Sequence, residues 1–182
     1  MTRNWYAVYT LPQREKKVAS LLTKKGIKNY YPVNEIVSLD GNKRTCKEAL
    51  FNSFVFVYIT DAEMAVVKTV PGMVSFLHWL SKPAIIKWEE IAAVKQLTSA
   101  YHNIKLEKCA VNSNDVVRMI DEPLISFNET SASVKFQTLK IVLPSLGYTM
   151  VAEREKGNKE KMQKELVRSG FFPKRLNSFF SN

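Results

Sequence analysis

The chain has 182 residues, of which 46% are apolar, and its 27 Lys and Arg outnumber 17 Asp and Glu to give a formal charge of +10. That length holds one medium domain or two small ones, and the apolar content is that of a folded chain. The N-terminus lacks the apolar core of a signal peptide, and no run reaches the roughly 20 apolar residues of a membrane span.

Trp5–Thr10 has the aromatic and β-branched composition of a strand, broken by Pro12. Gln13–Lys25 then predicts a helix stopping at Gly26. At 100° per residue Val18, Ala19 and Leu22 share one face, and Lys16, Lys17 and Lys24 cluster on the other. Lys28–Val37 reads as extended, and Asp40-Gly41 marks the turn of a polar hairpin or loop. The clearest strand is Ser53–Ile59, with Phe54, Phe56 and Tyr58 on one face and Val55, Val57 and Ile59 on the other. Its aromatic face suits either a core or the floor of a depression that binds a partner. Asp61–Thr69 predicts a short helix with Asp61 as its N-cap, ended by Pro71-Gly72. Met73–Leu80 is a further strand carrying Phe76 and Trp79. Ile86–Leu97 is a helix whose Trp88, Ile91, Val94 and Leu97 recur at core spacing. The order β-α-β-β-α-β-α implies an α+β sandwich on an antiparallel sheet.

Periodicity is lost over Thr98–Asn114, as in a linker. Short alternating runs follow from Asp115 to Glu153, among them Val134-Phe136 and Leu139-Ile141-Leu143, and suggest a small five-stranded barrel. Arg154–Ser169 is a charged helical stretch, and the last residues interleave aromatics with Lys174 and Arg175. The expected layout is therefore a first domain over 1–98, a linker over 99–112, a barrel over 113–153, and a basic helix and aromatic tail over 154–182.

Charge follows this layout. Residues 1–30 hold seven basic side chains and one acid, residues 154–182 hold eight and three, and the 123 residues between hold twelve and thirteen. Such ends fit a polyanion partner or solvated lysine faces. Cys46 and Cys109 make neither a metal knuckle nor a disulfide framework, and read as reduced thiols of a cytosolic protein. His78 and His102 have no ligand at metal spacing. GxGxxG, P-loop and GxSxG motifs are missing, so no catalytic site, metal or cofactor is expected.

The ordered set WYAVYT, PQREKKVASLL, YYPV, LFNSFVFVYI, VPGMVSFLHW and KPAII resembles the N-terminal domain of NusG-type transcription elongation factors over residues 4–97. The stretch KRTCKEALFNSFVFV is similar to that of the specialised RfaH-type and polysaccharide-locus paralogues. Residues 112–153 resemble that family's KOW domain, an SH3-like barrel, with departures at Glu122-Pro123-Leu124 and at NETSAS.

The resemblance implies an antitermination and elongation factor, not an enzyme, that suppresses pausing on a long operon. Its alternatives are a general housekeeping NusG, or an RNA-binding or ribosome-associated module. It implies that Tyr9, Phe54, Phe56 and Trp79 bind the clamp helices of the largest RNA polymerase subunit. Glu63, Val66 and Val67 match the contact with the gate loop of the other large subunit. Arg14, Lys16, Lys17 and Lys24 match the surface for the non-template DNA strand of the transcription bubble. A cytoplasmic monomer is implied, with the KOW-like domain as a route to the ribosome.

Overall fold

The computed structural model describes residues 2–37, 45–109, 118–128 and 131–155. The hairpin tip at Asp40-Gly41, Glu129 and Thr130 of the NETSAS stretch, and residues 156–182 of the expected C-terminal helix and tail lie outside these residues. Arg154 and Glu155, expected to open that helix, end the last strand.

The first sheet is antiparallel in the order β2-β5-β1-β6, built from β1 (Asn4–Thr10), β2 (Lys28–Tyr30), β5 (Phe54–Ile59) and β6 (Met73–Phe76). A two-residue strand, β9 (Ile85–Ile86), also pairs with β1. The extended segment at 28–37 divides at Tyr31-Pro32: its second half, β3 (Val33–Val37), pairs instead with β4 (Thr45–Ala49) in a separate ribbon. Proline has no N–H to give a ladder, so the break falls where the sequence removes a donor. The segment after β6 leaves the sheet likewise, and His78–Trp79 (β7) pairs with Lys82–Pro83 (β8) in a small hairpin.

Alternation decides what each face of the first sheet touches. Tyr6, Val8, Val55, Val57 and Ile59 pack with Val18 and Leu22 of α1 (Glu15–Lys24) and Val67 of α2 (Met64–Lys68). Trp5, Ala7, Phe54 and Phe56 belong to a second cluster with Ile91, Val94 and Leu97 of α3 (Trp88–Ala100). α1 ends, as expected, with Gly26 in the left-handed region at φ 75°.

Two local expectations are corrected. Asp61 does not cap the helical segment. Thr60 precedes it in an extended conformation, and Glu63 accepts from the Thr60 N–H at 2.8 Å and its hydroxyl at 3.1 Å. Asp61 accepts instead from the Tyr6 hydroxyl. Trp88 is not core: it is 61% exposed, while Ile91, Val94 and Leu97 are buried. Trp88 is the first residue of α3, so the apolar stripe runs one turn past the surface that the helix covers.

The chain from 98 to 109 is structured. α3 runs to Ala100, and the buried Asn34 side chain then donates to the Ile104 carbonyl (2.8 Å) and accepts from its N–H (3.1 Å). Lys105–Lys108 (β10) opens a second antiparallel sheet, ordered β10-β13-β12-β11, with β11 (Arg118–Asn128), β12 (Ser131–Leu143) and β13 (Tyr148–Glu155). Among the described residues this is an open four-stranded order, where a closed five-stranded barrel was expected.

Candidate functional site: an aromatic sheet face and its cover

The aromatic face is laid out in cross-strand rows. Trp5 lies opposite Tyr58, Ala7 opposite Phe56, and Tyr9 opposite Phe54, while Tyr30 on the edge strand lies opposite Phe56. The rings touch along these rows, with centroids of Tyr9 and Phe54 4.3 Å apart and those of Trp5 and Tyr58 5.2 Å apart. Lys95 of α3 stands over both Trp5 (5.4 Å) and Tyr30 (4.9 Å), and its charge is attracted to their ring faces. The Tyr30 hydroxyl bonds Thr98, and burial pushes that phenol above its usual pKa against the opposing pull of this bond.

This face is covered by the chain itself. β12 and β13 present Leu139, Ile141, Leu143, Met150 and Ala152 to the same cluster. Register makes this one surface, since Leu139 faces Ala152, Ile141 faces Met150 and Leu143 faces Tyr148. Phe51, just before β5, makes edge-on contacts with Phe56 at 5.6 Å and with Tyr148 at 5.8 Å. Phe54 and Phe56 are consequently buried and Tyr9 is half-buried.

Trp79 stands apart, 57% exposed on β7. It follows Leu77, which packs against the aromatic cluster, by two residues. The turn that carries it outward is unusual: Leu80 and Ser81 both have positive φ, 47° and 66°. Two-residue hairpins need that geometry and normally supply it with Asn-Gly. Here a leucine holds it and is 85% exposed. Neither residue gives a turn signal, so Leu80 could not be singled out from the sequence.

The remaining predicted residues lie elsewhere. Arg14, Lys16, Lys17 and Lys24 are all exposed along α1, on the opposite side of the first sheet from the aromatic rows. In the α2 region Val66 is exposed but Val67 is fully buried. Glu63 is engaged by Thr60 and by Arg3 at 2.9 Å, and the Thr60 N–H is the main cause holding its carboxyl below the ordinary value. The structure thus brings Tyr9, Phe54 and Phe56 together, leaves Trp79 outside them, and sets the α1 cations on another surface.

One residue at the cover escaped the sequence reading. Glu90, in the first turn of α3, is 0% exposed. Its Oε2 accepts from the Lys87 N–H at 3.1 Å and its Oε1 from the Ser145 N–H at 2.7 Å. Burial raises its carboxyl above the ordinary value, against the pull of the Ser145 side chain and of those two N–H groups. The only sequence signal was its place three residues after Lys87, where a carboxylate can reach back to a helix start.

Among the described residues no group of three or more His, Cys, Asp and Glu could hold a metal, and no helix is long and apolar enough to cross a membrane.

A curated relative, the transcription termination/antitermination protein NusG of Thermus thermophilus, is 24% identical over 161 residues, 78% of this chain and 88% of that protein. Among solved structures, that of Thermotoga maritima NusG, concerned with domain interaction, matches at a TM-score of 0.44 and 21% identity, covering 86% of this chain and 99% of that one. A chain of the MjSpt4:Spt5 complex matches at 0.30 and 18%, covering 82% and 99%. The family described as transcription termination factor NusG matches residues 3–95, just over half of the 182-residue chain, and the protein therefore belongs to the NusG family of transcription factors.

Proposed function

We propose that this protein is an antitermination and elongation factor that binds the clamp helices of RNA polymerase and suppresses pausing, in the manner of a specialised paralogue serving a long operon. The observation that carries the reading is the asymmetry of β5. Its aliphatic face is buried under α1 and α2. Its aromatic face is covered in part by residues 139–152, outside the segment that the family match spans. Aromatic anchors dominate protein interfaces, and their concentration on the removable side supports a partner surface there.

Trp79 meets the partner first, and Tyr9, Phe54 and Phe56 join it when the second sheet moves aside. Binding energy then does the work: a factor with higher affinity for the closed clamp shifts the polymerase away from its opened, paused state. The cations of α1 take the non-template strand, with Arg14, Lys16 and Lys17 on the near turns and Lys24 further out. They contact phosphates, which position the factor without reading sequence. Val66 is exposed to the gate loop, whereas Glu63 would have to release Arg3 and Val67 would need α2 to shift. The second sheet is the KOW-like domain and the route to a ribosome.

Elongation past a defined pause, with and without the protein, tests this directly. Shortened pauses that require Trp79 support the reading. Unchanged pausing, together with tight binding of plain single-stranded RNA, would transfer it to the RNA-module alternative. Lengthened pauses or enhanced termination would favour the housekeeping alternative.

A further inference from the structure

Lys28, Tyr58 and Trp5 stand in one cross-strand row, at the opposite end of the first sheet from the row of Tyr9 and Phe54. The Lys28 ammonium lies 5.2 Å from the Tyr58 ring centroid, and Tyr58 lies 5.2 Å from Trp5. Lys95 completes the array from α3, 5.4 Å from Trp5 and 4.9 Å from Tyr30. Tyr30 is two residues beyond Lys28, on the same face of β2. β2 is an edge strand, and these alternating cations and rings border solvent: both lysines are exposed and both tyrosines half-buried.

The way these lysines are held sets them apart from other cations of the chain. Arg3 is paired with Glu63 and Lys47 with Glu35, so those charges are matched within the protein. Among the described residues no carboxylate forms an ion pair with Lys28 or Lys95. A ring face restrains an ammonium without neutralising it. Each lysine therefore keeps its charge while part of its rotamer freedom is already lost, and an incoming anion loses less to ordering. The local field has one sign, because residues 16–34 contain five lysines and no acid.

Two kinds of polyanion would use such charge, and the rings choose between them. An acidic peptide needs only the lysines and leaves Tyr30 and Tyr58 without a role. An unpaired nucleotide uses both, with its phosphate on a cation and its base against an aromatic ring. A duplex keeps its bases stacked on one another and has no use for the rings.

We propose that Lys28, Lys95 and Tyr58 form a site for a single-stranded nucleic acid, separate from the cations of α1 on the other side of the first sheet. The phosphodiester backbone it grips is common to RNA and DNA. The site does not depend on the proposed function: its lysines are exposed with the second sheet in place, whereas Phe54 and Phe56 are buried.

Fluorescence anisotropy of the full chain with labelled oligouridylate and oligothymidylate tests it. Lys16→Ala and Lys17→Ala are present throughout to reduce the contribution of α1, and binding is read at several salt concentrations. Lys28→Gln with Lys95→Gln keeps the side-chain stems and removes two charges. The salt slope should then flatten by about 1.4, and affinity at about 0.1 M salt should fall about tenfold or more. Lys28→Arg with Lys95→Arg should hold both at the starting level. Tyr58→Leu should weaken binding about fivefold or more with the slope unchanged. A response with one oligonucleotide alone assigns the site to that strand, and an equal response assigns it to either. An unchanged slope and affinity in the Gln pair, with both oligonucleotides, would overturn the site. An equal loss in the Arg pair would overturn it too, since charge would not be what binds. So would weakened binding in the Gln pair with Tyr58→Leu at the starting level and a polyglutamate peptide losing affinity in parallel, which would make this a surface for an acidic protein.

Discussion

Phe51 and Tyr148 meet edge to face across the two sheets, their ring centroids 5.8 Å apart and their planes inclined at 78°. Phe51 also sets its ring edge-on to Phe56 at 5.6 Å, so it is the middle member of a chain from β5 to β13. A double-mutant cycle with Phe51→Leu and Tyr148→Leu should give a coupling energy of about 0.5–1.5 kcal/mol, the usual size for such aromatic pairs. Urea unfolding of the four proteins measures it. Additive losses would mean that the two sheets are not in register contact in solution.

Trp79 and Phe56 should behave differently when truncated. Trp79 is 57% exposed, whereas Phe56 is completely buried. Trp79→Ala should therefore leave stability within about 0.5 kcal/mol, yet abolish capture by isolated clamp helices. Phe56→Ala should cost about 3–5 kcal/mol, because it opens a cavity in a packed core. Thermal melts beside pull-downs separate the two effects. A Trp79→Ala protein that melts normally and is still captured sinks the assignment.

The two faces of β5 were legible in the sequence because strand alternation is strictly twofold, and Phe54, Phe56 and Tyr58 fell on one side with nothing to disturb the count. The exposure of that side was not legible. Whether Phe56 is an open anchor or a core residue depends on Leu139, Ile141 and Met150, more than 80 positions away, and periodicity carries no information about such pairing. Trp88 misled for the opposite reason: its spacing from Ile91 was correct, but spacing does not show where the covered surface ends. Leu80 and Ser81 hid a tight turn because neither is a residue that favours positive φ. Glu90 hid as well, since a buried carboxylate looks like a surface one until its partners are known.

Glu15 is a second buried carboxylate, and it braces the start of α1. It is 6% exposed and accepts from the Ser53 N–H at 2.7 Å. Ser53 itself has φ 64°, and its carbonyl accepts from the Thr10 N–H at 2.8 Å. Glu15→Ala leaves the Ser53 N–H unpaired in a turn that already holds this serine in the left-handed region. A loss of about 1.5–3 kcal/mol is expected by chemical denaturation. A loss below about 0.5 kcal/mol, the ordinary surface range, would mean that water replaces the carboxylate without cost.

The exposed cations of α1 make a prediction about salt. Each phosphate contact on a single strand releases condensed counterions, with a slope of about −0.7 in log K against log salt concentration. Replacing Lys16 and Lys17 by Ala should flatten the slope for bubble DNA by about 1.4, while clamp-helix capture stays as in wild type. Fluorescence anisotropy at several salt concentrations reads the slope. An unchanged slope would place the DNA elsewhere, most simply on the basic residues after 154.

Glu90 also makes stability depend on pH, and the sign can be worked out. Its carboxyl is raised above the ordinary 4.5 in the folded chain, with burial the largest cause and the Ser145 side chain and the Ser145 and Lys87 N–H groups opposing it. A raised folded value means that the native state holds its proton more tightly than the unfolded chain does. The contribution is therefore fully present below about pH 4.5 and is lost as pH climbs through the higher folded value. Glu35 and Glu63 titrate in the opposite sense. Lys47 chiefly lowers the first and the Thr60 N–H the second, so their contributions are present above 4.5 and fade as pH falls. Both are retained in Glu90→Gln and cancel when wild type is compared with that variant. The stability of wild type minus that of Glu90→Gln should accordingly decline as pH rises from 4.5 toward neutrality, then level off once Glu90 is ionised in both states. Urea unfolding across this range gives the curve. A difference that grows with pH would show that Ser145 and the Lys87 N–H stabilise the carboxylate by more than burial costs it.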